Sequence, residues 1–143
     1  MLAAVRGGPR QLLAGPPLVT DALAVLKSSR IPSRIFLCGM GGSAFPGELL
    51  RLLSDPLGVP FFISRRYRVD AAVLTAEDLV IVSSFSGNTE ETRAALADAQ
   101  RRGARCLVIS AGGALAAEAK ARGLPYVGLE RPSADFQPRA ATG

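Results

Sequence analysis

Two stretches of this chain concentrate groups that can hold an anion. The first is Gly39-Met40-Gly41-Gly42-Ser43-Ala44. Its glycines let the backbone come close to a negative group, and a helix starting behind it would offer free N–H groups. The second is Ser83-Ser84-Phe85-Ser86-Gly87-Asn88-Thr89-Glu90-Glu91-Thr92. Ser84, Ser86 and Thr89 each carry a hydroxyl able to donate to a phosphate oxygen. Hydrogen bonds to a charged group contribute about 1.5–3 kcal/mol each, against roughly 0.3–1 kcal/mol for a helix N-terminus, so the hydroxyls outweigh the dipole.

Each stretch has a competing explanation. The glycine string also fits the dinucleotide fingerprint G-x-G-x-x-[G/A]. That reading expects an acidic residue about twenty positions on, to hold a ribose. Ser64-Arg65-Arg66 stands there instead, which weakens it but leaves a 2′-phosphorylated dinucleotide, NADP, as a distant alternative. A tight strand-to-helix turn without a ligand is the plainer possibility. In the second stretch, Asn88 with Glu91 fits a capping box. Capping needs only one such residue, however, and leaves three hydroxyls unexplained. Glu90 and Glu91 compete with a phosphate for the same helix end, so phosphate binding requires them to point away.

The surrounding sequence must position these loops. Val19, Ala22, Leu23 and Leu26 recur at helical spacing over Pro17–Ser28. Arg34–Cys38 is a short apolar strand leading into the first glycine loop. A helix follows, with Phe45, Leu49, Leu52 and Leu53 on one face, and Asp55-Pro56 ends it. Val59–Ser64 and Leu79–Ser83 are further strands, the latter feeding the hydroxyl-rich loop. A helix then runs to about Arg102, with Thr92, Ala95, Leu96 and Ala99 inward and Gly103 closing it. Arg105–Ser110 is a fourth strand, an Ala-rich helix lies between Gly112-Gly113 and Gly123, and Pro125–Leu129 is a short fifth strand. Continuously apolar strands alternating with helices predict an α/β, doubly wound, five-stranded parallel sheet of flavodoxin-like type with helices on both faces. In such sheets the ligand sits at the carboxyl ends of the strands, at the topological switch point.

Composition narrows the classes. At 143 residues, 48% hydrophobic and 20% charged, the chain suits one globular domain. Pro16, Pro17 and Asp21 interrupt the apolar N-terminal stretch, which argues against a secretion signal or a membrane span and favours the cytoplasm. With no histidine and no CxxC pair, an imidazole-ligated metal site is not expected. Cys38 and Cys106 each fall inside a strand and read as small core residues. The formal charge of +5 raises nucleic acid as a partner. Scattered arginines, with no recognition helix or aromatic stacking platform, argue against it.

The loop Gly39-Met40-Gly41-Gly42-Ser43, followed by Ser84-Phe85-Ser86-Gly87-Asn88-Thr89-Glu90-Glu91-Thr92, resembles the SIS (sugar isomerase) domains. More narrowly it resembles the bifunctional phosphoglucose/phosphomannose isomerases. Arg65-Arg66-Tyr67 is similar to that family's basic-aromatic stretch after the second strand, and Pro138-Arg139-Ala140-Ala141 to its proline-arginine motif after the fifth. The resemblance runs from about Pro17 onward. It implies that Gly42 and Ser43 contact the sugar phosphate, that Ser84, Ser86 and Thr89 hold the phosphate, and that Arg139 reaches the sugar. There a fixed guanidinium would stabilise charge on an enediolate oxygen. The implied ligands are fructose 6-phosphate, glucose 6-phosphate and mannose 6-phosphate. The implied reaction is aldose–ketose isomerisation through a cis-enediolate, a step of glycolysis and carbohydrate metabolism that needs no cofactor.

Departures qualify the resemblance. Phe85 stands where the family often has tyrosine, and Thr142 replaces an apolar residue. The family carries two such domains in tandem, with its catalytic glutamate, histidine and lysine in the second. No carboxylate here matches that glutamate. The expectation is an N-terminal extension, residues 1–16, and a single SIS-type domain, residues 17–143, without the second. It would bind hexose phosphate, lack a general base, be inactive alone, and form a homodimer or pair with a second SIS-type half. A stand-alone regulatory sugar-phosphate-binding module is the alternative.

Overall fold

The computed structural model describes residues 20, 22, 24, 30–54, 58–67, 69 and 74–130. Apolar runs bounded by turn residues form strands β1 (Ile35–Gly39), β2 (Phe61–Ser64), β3 (Leu79–Ser83), β4 (Arg105–Ser110) and β5 (Tyr126–Gly128). Between them lie α1 (Phe45–Ser54), α2 (Glu90–Arg101) and α3 (Gly113–Ala121), with a 3-10 turn at Gly41–Ala44 ahead of α1. β3 and β4 have the predicted limits. β2 begins two residues later than predicted, at Phe61 rather than Val59, because pairing with β1 starts at Ile35 opposite Phe61. The sheet order is β2-β1-β3-β4-β5 and every pairing is parallel. That is the predicted doubly wound order, with β1 and β3 adjacent at the switch point.

Both faces of the sheet are covered. On one, Phe36, Cys38, Val80, Val82, Cys106 and Val108 pack against Ala95, Leu96 and Ala99 of α2 and Leu115 and Ala119 of α3. Thr92, Ala95, Leu96 and Ala99 are buried, as their spacing predicts. On the other, Leu79, Leu107 and Val127 meet Ala22. Thr20, Ala22 and Ala24 are helical; the rest of the predicted Pro17–Ser28 helix lies outside the described residues. α1 also approaches this second face. A side chain at Gly47 would meet Leu37 at 3.1 Å and Ile63 at 3.3 Å, so the helix backbone rests on the sheet. The face bearing Phe45, Leu49 and Leu52 points outward, with those residues exposed.

At the amino ends of the strands, away from both glycine-rich loops, a fork of hydrogen bonds ties β1 to β3. Arg34 Nε and Nη2 donate to Asp78 Oδ1 and Oδ2 at 2.8 and 2.7 Å, and Thr75 N donates to Oδ2 at 2.7 Å. Asp78 is fully buried. Burial pushes its carboxyl up, but the Arg34 guanidinium and the Thr75 donors outweigh that and leave it below the ordinary carboxylate range. Cys38 and Cys106 are buried free thiols.

Candidate anion-binding site

The loops after β1 and β3 meet at the carboxyl end of the sheet. β1 pairs with β3 through to Gly39 opposite Ser83, so the two loops leave the sheet side by side. A side chain at Gly39 would stand 3.0 Å from Ser43 O and 3.1 Å from Ser83 O, so the crossing admits only glycine without a shift. Ser43 lies in the 3-10 turn, and its Oγ accepts a hydrogen bond from Phe85 N at 3.3 Å. One predicted residue of the first loop is therefore bonded to the second loop. Gly42 is exposed with open space around it.

The three hydroxyls of the second loop form one cluster. Ser84 Oγ lies 2.8 Å from Thr89 Oγ1 and 3.5 Å from Ser86 Oγ. Ser84 is nearly buried and also accepts from Gly87 N at 3.2 Å, whereas Ser86 is exposed and Thr89 half-buried. The cluster thus grades from an inner hydroxyl that holds the loop to outer ones that reach solvent. Thr89 occupies the N-cap position of α2 and makes no side-chain capping bond. The first-turn backbone N–H groups of that helix therefore receive no bond from the N-cap side chain.

The predicted Asn88–Glu91 capping box does not form. Asn88 Oδ1 instead accepts from Ala114 N at 2.9 Å, in the first turn of α3. Its side chain binds the loop after β3 to the helix after β4 and leaves α2 uncapped. Backbone contacts reinforce the junction. Ala111 N donates to Phe85 O at 3.0 Å and Leu115 N to Gly87 O at 2.9 Å. Gly87 and Gly113 take φ of +70° and +71°, and a side chain on Gly87 would stand 1.8 Å from Gly112 O. Only residues without a Cβ let the two loops touch this closely.

The charged groups predicted near the site separate by role. Arg65 Nη2 bonds Glu48 of α1 at 2.9 Å, so it is engaged with the helix after β1. Arg66 is exposed and has no ion pair among the described residues. The negative charges of Glu91 and Glu90 nearby push the Tyr67 phenol above the usual range. The start of α2 and the segment after β2 are thus near enough to feel one another's charge. Neither this proximity nor the bridging role of Asn88 is readable locally, because both partners come from distant segments. Arg139 and its motif Pro138-Arg139-Ala140-Ala141 lie outside the described residues, as does Thr142. Among the described residues no group of three or more potential metal ligands occurs, and no helix is long and apolar enough to cross a membrane.

Comparison with known proteins gives a consistent picture. A family model described as SIS domain matches residues 30–124. Over 111 residues the chain is 41% identical to the bifunctional phosphoglucose/phosphomannose isomerase of Caldicellulosiruptor bescii, covering 77% of this chain and 32% of that one. Over 97 residues it is 38% identical to the D-glucosamine-6-phosphate 4-epimerase of Sulfolobus acidocaldarius, covering 67% and 30%. Among solved structures, the tagatose-6-phosphate ketose/aldose isomerase of Escherichia coli superposes with a TM-score of 0.70 at 24% identity, over 90% of this chain and 39% of that one. The Vibrio vulnificus NanR protein complexed with ManNAc-6P gives 0.71 at 17% identity, over 92% and 51%. These two likenesses concern the fold. The chain spans about a third of the length of the curated relatives it matches.

Proposed function

The chain belongs to the SIS domain family, and on that footing we propose that it binds the phosphate of a hexose phosphate in the cradle of Ser43, Ser84, Ser86 and Thr89. The observation that carries this reading is the hydroxyl cluster at the uncapped N-terminus of α2. A dianionic phosphate there would accept from Ser86 and Thr89 and from the first-turn N–H groups. Ser84 sits behind them as a positioning residue. Gly42 leaves room for the sugar to pass over the first loop.

The reaction we propose is that of the bifunctional phosphoglucose/phosphomannose isomerases, with this chain as the sugar-phosphate-binding half. Relatives of similar identity carry the names of an isomerase and a 4-epimerase. Their common element is a phosphorylated hexose, which agrees with a segment whose work is holding the phosphate. Isomerisation opens the ring and moves a proton between C1 and C2 through a cis-enediolate. A base must stand within about 3 Å of that proton. The 143 residues include no histidine, and none of their carboxylates stands in a motif that resembles the family's catalytic glutamate. Arg139, by its resemblance to the family motif, would polarise the substrate oxygen. The 143 residues by themselves therefore bind and do not turn over.

Calorimetry with fructose 6-phosphate and with fructose tests the cradle. The phosphorylated sugar should bind and the free sugar should not, and Thr89→Ala should weaken the former by about 10-fold or more. Equal affinity for the two sugars would overturn the reading. A coupled isomerase assay on the 143 residues, alone and with a second SIS-type half supplied, tests the division of labour. Turnover by the chain alone would refute it, and turnover only on mixing would support it. Binding without turnover in both cases would favour a stand-alone regulatory module.

A further inference from the structure

A chain of hydroxyl bonds runs from β5 toward the cradle, and the phosphate reading leaves it unused. Tyr126 Oη donates to Ser110 O at 2.8 Å and lies 3.4 Å from Ser110 Oγ. Ser110 ends β4 and is fully buried. Its Oγ donates to Gly112 O at 2.9 Å and accepts from Gly112 N at 3.4 Å. A hydroxyl has one proton to give, and the shorter distance assigns it to Gly112 O. The Tyr126 proton goes to Ser110 O, which also accepts from Leu129 N at 2.9 Å. Ser110 thus holds Gly112 by both its N–H and its carbonyl, while Tyr126 and Leu129 fix Ser110.

The link held in this way has little conformational preference of its own. Gly112 and Gly113 take φ of +136° and +71°, and successive residues without a Cβ leave the backbone free to adopt many shapes. Gly112 also lies beyond Ser110, the last paired residue of β4, so the bonds to it add nothing to the sheet ladder. They act instead on the neighbouring loop. Gly112 O is the atom that a side chain on Gly87 would meet at 1.8 Å, so its position limits where Gly87 can lie. Gly87 N in turn donates to Ser84 Oγ at 3.2 Å, and Ser84 Oγ lies 2.8 Å from Thr89 Oγ1. We propose that Ser110 and Tyr126 are positioning residues for phosphate binding. Through the Gly112 carbonyl they fix Gly87, and through Gly87 they fix the Ser84–Thr89 pair. A binding loop keeps its geometry only where the groups behind it are themselves fixed. The proposal rests on the phosphate reading of the cradle.

Titration of the full 143-residue chain with fructose 6-phosphate and with inorganic phosphate tests the proposal. Ser110→Ala should weaken both ligands by about 3–10-fold, the weight of one neutral hydrogen bond. Tyr126→Phe keeps the ring and its core packing and loses only the hydroxyl, so it should weaken both by about 2–3-fold. It also carries the test should Ser110→Ala not fold. The factor should be the same for the two ligands, because the cradle holds the group they share. Gly103→Ala separates positioning from stability: it carries a backbone penalty with no contact within 4 Å, and should unfold more easily while binding both ligands like the parent. Variants of Ser110 and Tyr126 that lose stability yet bind like the parent would overturn the proposal, as would a loss confined to fructose 6-phosphate, which would place the effect on the sugar. Either result leaves the phosphate reading intact. A parent chain that binds neither ligand would overturn that reading, and this proposal with it.

Discussion

Replacing Gly87 with alanine tests the idea that backbone proximity between two loops builds the cradle. Gly87 has φ of +70°, where an L-residue costs about 1–2 kcal/mol. The new methyl group would also stand 1.8 Å from Gly112 O, a backbone atom that no rotamer change can move. Relief requires the loops after β3 and β4 to part by more than an ångström. That strains the bonds from Leu115 N to Gly87 O at 2.9 Å and from Ala114 N to Asn88 Oδ1 at 2.9 Å. At about 0.5–1.5 kcal/mol each, their loss together with the φ penalty gives a destabilisation of about 2–5 kcal/mol. Gly103→Ala is the control. Its φ is +73°, yet nothing lies within 4 Å of the added carbon, so it carries the backbone penalty alone. Urea unfolding of the two variants isolates the overlap, and titration with fructose 6-phosphate follows the cradle. Gly87→Ala should lose stability and ligand binding together, and Gly103→Ala should keep its affinity. If the two variants unfold at the same urea concentration, the loop contact does not have the energetic weight assigned to it.

The Arg34–Asp78 fork makes a pH-dependent contribution. Asp78 has a lowered folded pKa, so its stabilisation is complete above the ordinary value near 4 and is lost as pH falls through the folded value. Asp78→Asn should cost about 1–3 kcal/mol at neutral pH, and its gap from the parent should narrow below about pH 4. A gap that stays constant down to about pH 2 would contradict this assignment. Burial, together with the nearby Cys106, pushes the Cys38 thiol up to about 12, and burial pushes Cys106 up to about 11. Both should resist a thiol reagent at mildly alkaline pH in the folded protein and react on unfolding; rapid labelling of the native chain would refute their core placement.

What could be read from the sequence follows from how locally each feature is determined. β3 and β4 emerge with their predicted limits because Leu79–Ser83 and Arg105–Ser110 are apolar runs buried on both faces of an interior position in the sheet. Their neighbours demand the same length that the residues suggest. Among the described residues β2 is an edge strand, paired with β1 alone, and its start is set by its partner rather than by the residue types of Val59 and Pro60. The Ser84, Ser86 and Thr89 cluster was legible for a similar local reason. Its members lie within five positions of one another on a loop whose course is fixed at both ends by β3 and α2. Asn88 shows where local reasoning stops. By residue type and position it is a good N-cap, worth about 1 kcal/mol to α2. In the folded chain its oxygen instead serves the N-terminus of α3, 26 residues away, an exchange of one helix end for another that no window around Asn88 can reveal. The exchange has a functional consequence. If Asn88 capped α2, its side chain would occupy the donors that the proposed phosphate needs. Bonded to Ala114, it leaves them open and braces the loop from behind. The residue that most resembled a reason to doubt an anion site is thereby part of what makes one available.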